Sequence, residues 1–218
     1  MNNDSQAKLP TNLQAVIFDL GGVILRTNDP APRAALAAQV NKTYAELDAL
    51  VFASPVARRA EEGLASPEEV WEYVRQETGL APEAVRAFRR AFFGGDQVDF
   101  ELVALIRALR PAYTTVLLSN TWITDLGRFL VEDLRIPADT FDVVISSAAV
   151  KLAKPKAESF ERALQRIGVA PAQAVFVDDN LANIAAAQAV GLHTVHFRSP
   201  LQARAELLAL LHLPGSTQ

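Results

Sequence analysis

The 218-residue sequence contains no cysteine. Disulfides, a thiolate nucleophile and zinc–cysteine clusters are therefore excluded, and a reducing, cytoplasmic setting is expected. Long apolar runs are missing as well, since none approaches the roughly 20 residues that span a bilayer. The opening MNNDSQAKLPTN is polar, lacks the apolar stretch of a signal peptide, and reads as a short frayed leader. Positive charge is not in excess. With a formal net charge of −4 and a pI near 5.4, neither a nucleic acid nor a membrane is an expected partner. Lysine is scarce, yet three of the five lysines fall at Lys151, Lys154 and Lys156.

What is present is a chain long enough for one large domain, or one domain carrying an insert. Five short runs are rich in β-formers and continuous in apolar character: QAVIFD (14–19), TTVLLSN (114–120), FDVVISS (141–147), AVFVDD (174–179) and HTVHF (193–197). Continuous rather than alternating apolarity is the mark of buried parallel strands. Between them, AESFERALQRIG and LANIAAAQAVG carry helical spacing and stop at Gly168 and Gly191. Strand and helix in alternation predict an α/β fold with a doubly wound parallel sheet. One interval departs from this rhythm. From 29 to 95 helical segments recur without a convincing strand, among them SPEEVWEYVRQETG with Ser66 as cap, Pro67 in the first turn and Glu69 closing a capping box. The expected organisation is an α/β core of residues 1–28 and 96–218 with a helical cap at 29–95. RTNDPAP and GGDQVD serve as flexible connections.

In open parallel sheets ligands bind beyond the carboxyl ends of the strands. Asp19, the pair Ser119 and Asn120, and the pair Asp178 and Asp179 all end predicted strands, and Lys154 follows another by a loop. Converging carboxylates repel unless a cation sits among them, and an all-oxygen set suits Mg²⁺. A lysine and a hydroxyl beside such a site are what a phosphoryl group requires, with Asp19 as candidate nucleophile.

The order and wording of IFDLGGV, VLLSNT, KPKAESF and VFVDDNLANI resemble the four motifs of the haloacid dehalogenase-like superfamily, and DLGGV with LSNT is most similar to its glucose-1-phosphatase-like branch. The resemblance implies a Rossmann-like core, a helical substrate cap after the first strand, and Mg²⁺-dependent phosphatase activity on a small phosphorylated metabolite such as a sugar phosphate. It makes Asp19 the nucleophile that becomes a phosphoaspartate. Ser119 and Asn120 contact the phosphoryl oxygens, Lys154 stabilises charge on nucleophile and phosphate, and Gly21 and Gly22 lie at the phosphate and substrate site. Asp19, the Gly21 carbonyl, Asp178 and Asp179 hold the metal, with Asn183 orienting them from behind. Trp122 falls near the cap mouth. Within the same superfamily, 2-haloacid dehalogenases attack carbon without a metal, but they lack an acidic pair such as Asp178 and Asp179.

Gly21 is the departure from the family pattern. Most of these phosphatases carry there a second aspartate that protonates the leaving oxygen and activates water. A glycine keeps the carbonyl ligand and deletes that acid. General acid–base catalysis is worth about 10² to 10⁴ in rate, so the expectation is activity biased toward good leaving groups, or rescue by a group such as Asp29 or an ordered water. A catalytically weak phosphometabolite-binding relative is the third reading. Arg58, Arg59, Glu61 and Glu62 read as a solvated face of the cap, which would select substrate only if turned inward. Lys151 and Lys156 would add to the positive field near Lys154. His193 and His196 read as structural.

Overall fold

The computed structural model describes residues 12–213, so the expected leader lies outside the described residues apart from its last position. Strand β1 (Ala15–Phe18) leads to a short strand β2 (Leu25–Thr27) and then to helices α1 (Ala31–Gln39), α2 (Tyr44–Phe52), α3 (Pro55–Glu61), α4 (Pro67–Thr78) and α5 (Val85–Phe92). A second short strand, β3 (Asp96–Val98), follows. The chain then alternates through α6 (Phe100–Leu109), β4 (Thr114–Ser119), α7 (Leu126–Glu132), β5 (Val143–Ser146), α8 (Ser147–Val150) and α9 (Ala157–Ile167). It ends through β6 (Ala174–Asp178), α10 (Leu181–Val190), β7 (His193–His196) and α11 (Pro200–Leu210).

All five predicted strands join one sheet, in the order β5-β4-β1-β6-β7 and parallel throughout. Alternate side chains of each strand enter opposite cores. Val16 and Phe18 of β1 pack with Val103 and Ile106 of α6, Leu126 and Leu130 of α7 and Leu207 of α11. Ala15 and Ile17 point the other way, to Phe160 and Leu164 of α9 and Ile184 and Ala187 of α10. Burial on both faces is why these strands lack polar alternation. Because the chain leaves β1 for β4 on one side and returns to β6 on the other, the sheet has its switch point at β1. The carboxyl ends of β4, β1 and β6 therefore lie side by side.

The connections expected to be flexible are instead paired. Strands β2 and β3 form an antiparallel ribbon with Leu25 opposite Val98 and Thr27 opposite Asp96, and Thr27 Oγ1 donates to Asp96 at 2.6 Å. Three residues on each side, flanked by Asn, Asp and Gly, are too short to show a period. Between the two strands lies the helical segment, with its own core of Leu36, Leu47, Val51, Trp71, Phe88 and Phe92. Helix α4 starts with the expected capping box of Ser66 and Glu69. Arg33, only 5 % exposed, fastens the segment to the ribbon: its guanidinium lies 4.1 Å from the Phe92 ring centre and pairs with Asp48 at 2.6 Å and Asp96 at 3.1 Å.

Candidate active site

Asp19 follows β1 directly, its N–H donating to Val177 O of β6 at 3.0 Å. Asp178 closes β6 and Ser119 closes β4, so strand pairing alone brings these three side chains to one rim. Lys154 arrives on the loop between α8 and α9. Its Nζ sits 2.9 Å from Asp19 Oδ1 and 2.8 Å from Asp178 Oδ2, and the residue is 4 % exposed. Asp178 is fully buried and saturated with donors: the Asn180 N–H at 2.8 Å, Asn183 Nδ2 at 3.1 Å to each oxygen, and Lys154. Asp179 is exposed by contrast, and its backbone carbonyl meets His196 Nε2 at 3.1 Å, giving that histidine a supporting place beside the acidic pair.

One carboxylate oxygen from each of Asp19, Asp178 and Asp179 lies within 4.8 Å of the others. Among the described residues one ammonium, that of Lys154, pairs with two of these three acids. Burial, with Asp178 adding to it, raises the Asp19 carboxyl well above the ordinary range against the pull of Lys154. Although Asp179 as a whole residue is exposed, its carboxylate packs against Gly22, and the loss of hydration there, together with Asp178, raises it as well. For Lys154, burial works to lower its pKa but is outweighed by Asp19 and Asp178, so its pKa is raised and the ammonium stays charged. The excess negative charge and the oxygen-only donor set fit a hard divalent cation. Gly22 confirms that Asp179 is given room: it has φ +76°, and a Cβ there would fall 2.1 Å from Asp179 Oδ2.

Two of the expected phosphate-site residues are otherwise engaged. The Asn120 carboxamide donates to Lys154 O and accepts from Lys154 N, both at 2.9 Å, so its side chain fixes the lysine loop. The Gly22 N–H donates to Leu25 O at 2.9 Å, which leaves making space for Asp179 as its part. Ser119 is different. Among the described residues its hydroxyl has only a long 3.5 Å contact to Asn120 O and remains available. At Gly21 a Cβ would meet nothing within 4 Å, so no close approach of neighbouring atoms requires a glycine there.

A cavity of about 400 Å³ opens beside this rim, walled by Lys154, Asn120 and Asn183 on one side and by Phe52, Arg58 and Glu61 of the helical segment on the other. The expectation of a solvated face for α3 is thus corrected for Glu61 and Glu62, which are partly buried in the cavity wall; Arg58 also lines the cavity but is exposed as expected, and Arg59 turns away to donate to Leu64 O at 3.0 Å. Glu62 is ion-paired with Lys156, so Lys156 adds little free positive field. Lys151 is the left-handed cap of α8 and is absent from the cavity wall. Periodicity could not find the inward turn of α3, a seven-residue helix that buries only Ala57 and Ala60. Trp122, after β4, does reach the helical segment, with its ring centre 6.0 Å from Phe52 and 6.4 Å from Trp71.

The model of the haloacid dehalogenase-like hydrolases matches residues 13–191. The chain belongs to this family of hydrolases. Among similar proteins, a sesquiterpene phosphatase of Aspergillus oryzae is 28 % identical, the match covering 92 % of this chain and 98 % of the relative. A predicted member of the family from Porphyromonas gingivalis superposes with a TM-score of 0.72 at 26 % identity, over 94 % of this chain and all of that one. A family enzyme of Bacteroides thetaiotaomicron, solved in complex with magnesium and inorganic phosphate, superposes with a TM-score of 0.70 at 22 % identity, over 86 % of this chain and 96 % of that one. Among the described residues no helix is long and apolar enough to cross a membrane.

Proposed function

We propose that this hydrolase is a Mg²⁺-dependent phosphomonoesterase acting through a phosphoaspartate on Asp19. The observation that carries the reading is Lys154 Nζ, held at 2.9 Å from Asp19 and 2.8 Å from Asp178 inside an acidic triad. Asp19, Asp179, the Gly21 carbonyl and Asp178 would hold the ion, which when bound neutralises phosphoryl charge and offsets the acidic triad. Asp19 supplies the attacking oxygen. Lys154 stays protonated between its two carboxylates and offers a fixed positive charge to the transferring group, while the Ser119 hydroxyl donates to a phosphoryl oxygen. Asn120 holds the lysine loop and Asn183 holds Asp178, so the two act through their neighbours.

Residues 29–95 form the substrate cap in this reading, over a core of 1–28 and 96–218. Arg58, Glu61, Glu62 and Asn180 supply polar groups to a cavity wall that Phe52, Ala153 and Pro155 also line, and hydrogen bonds from those groups suit a hydroxylated metabolite such as a sugar phosphate. This agrees with the glucose-1-phosphatase-like branch that the motifs resemble. Attack of Asp19 on carbon, the dehalogenase reaction, fits less well, because without a cation Asp178 and Asp179 would burden the nucleophile with like charge. The test is phosphate release from sugar, nucleotide, acyl and prenyl phosphates with and without Mg²⁺, with Asp19→Asn as control. Metal-dependent turnover of sugar phosphates that the variant abolishes is expected. Turnover by the variant removes the nucleophile, and prenyl phosphate as the preferred substrate overturns the sugar-phosphate class.

A further inference from the structure

Hydrolysis through an aspartyl phosphate moves two protons, one onto the departing oxygen and one off the attacking water. On the phosphatase reading above, something in the cavity must carry them. Lys154 is clamped between two carboxylates, Glu62 is paired with Lys156, and Arg58 does not release its proton. Asn120, Asn180 and Asn183 do not titrate. Asp29, a candidate from the sequence, instead accepts the Ala31 N–H at 2.9 Å at the start of α1 and takes no part in the cavity wall. That leaves Glu61. Among the described residues no hydrogen bond or ion pair engages its carboxylate, although it is partly buried in the same cavity as Lys154.

Its position is held from several sides. Next to it, Glu62 reaches the core through Lys156. Gly63 then packs so closely on Ala148 of α8 that a Cβ would fall 2.4 Å from the carbonyl oxygen. Earlier in α3, Ala57 and Ala60 are fully buried against Trp122. Displacement at phosphorus runs roughly in line, so a leaving group departs from the side away from the nucleophile. Asp19 and Lys154 belong to the sheet rim, whereas Glu61 belongs to the helical wall facing it.

We propose that Glu61 is the general acid and general base of this enzyme, standing in for the aspartate that Gly21 replaces. In the first step an Asp19 oxygen bonds to phosphorus while the ester P–O bond breaks, and the Glu61 proton passes to the departing oxygen, releasing an alcohol. In the second step the Glu61 carboxylate takes a proton from a water whose oxygen bonds to phosphorus. The P–O bond to Asp19 breaks, phosphate leaves, and both carboxyls return to their starting states. Burial pushes the Glu61 carboxyl up to about 7, against the pull of Lys154 and Arg58 and with Asp19 and Glu62 adding to the rise. Both protonation states are therefore populated near neutral pH, as two-way proton traffic requires.

The experiment compares wild type and Glu61→Gln across phosphate esters of graded leaving-group pKa, from p-nitrophenyl to alkyl. On kcat/KM, the variant is expected to lose about 10²-fold or more on alkyl esters but less than about tenfold on the aryl ester, so its dependence on leaving-group pKa steepens. Phosphoenzyme should accumulate in the variant, because water attack is slowed too. Equal losses across the series with unchanged slope would show that Glu61 only orients substrate, and would overturn the proposal while leaving the phosphatase reading intact. A wild type that releases phosphate from no ester fails at the earlier reading, and Glu61 falls with it. Carboxyl NMR of the metal-free protein is independent of turnover: the Glu61 resonance is expected to titrate near 7, and titration near 4.5 would contradict the assignment.

Discussion

Exchanging Glu61 for glutamine should change the stability of the protein in a way that depends on pH. The glutamate carboxyl rises from an ordinary 4.5 to about 7 in the folded chain, principally through burial. At about 1.4 kcal/mol per pH unit this sets an upper bound of about 3 kcal/mol. Part of the side chain meets solvent, so screening reduces the realistic figure to on the order of 1–2 kcal/mol. Below pH 4.5 the carboxyl is protonated in both the folded and unfolded chains, and its titration contributes nothing. Between 4.5 and 7 the unfolded chain releases a proton that the folded chain keeps, so rising pH favours unfolding. Above 7 the penalty is complete and constant. Glu61→Gln carries no such penalty, and its stability relative to wild type should therefore climb through this window to a plateau at pH 8. Urea denaturation of the metal-free proteins from pH 4 to pH 8.5 measures the difference directly. A difference that stays flat, or one that falls as pH rises, would refute a partly buried and unpaired carboxyl in the cavity.

Lys154→Met leaves Asp19 and Asp178 facing each other without their shared ammonium. A loss of about 3–5 kcal/mol is expected in denaturation of the metal-free protein, with part of it recovered on adding Mg²⁺. Gly22→Ala forces a Cβ onto the Asp179 carboxylate at a positive φ, so it should cost at least ~1–2 kcal/mol and weaken the thermal shift produced by Mg²⁺. Trp122→Ala removes the core's aromatic contact with Phe52 and Trp71. The half-buried ring should be worth about 2 kcal/mol, below the ~3–5 kcal/mol of a fully buried one, and hydrogen exchange should quicken in α3 and α4.

The sheet could be read from the chain because each of its strands is buried on both faces, which writes an unbroken apolar run into sequence. The same logic placed Asp19, Ser119 and Asp178 together, since each terminates such a run and parallel pairing aligns the ends. Shorter features were out of reach. The β2–β3 ribbon spans three residues on either side and depends on pairing across about 70 positions, a partnership no local pattern records. Asn120 looked like a ligand because it follows Ser119, but its carboxamide is taken by the Lys154 backbone, a contact set by loop geometry. Glu61 was hidden for a related reason. In a seven-residue helix, one charged side chain among RRAEE carries no sign of which way it turns until Glu62 finds Lys156 and Gly63 docks on Ala148.

The central claim is that Asp19 attacks phosphorus. A single turnover with excess enzyme in H₂¹⁸O, followed by mass analysis of the products and of the peptide containing Asp19, tests it most directly. The account predicts a transient phosphoryl group on Asp19, the heavy oxygen in the released phosphate, and none in the aspartate. Heavy oxygen incorporated into Asp19, as attack on a carbon ester would give, or phosphate released with no phosphorylated Asp19 at any time, would contradict it.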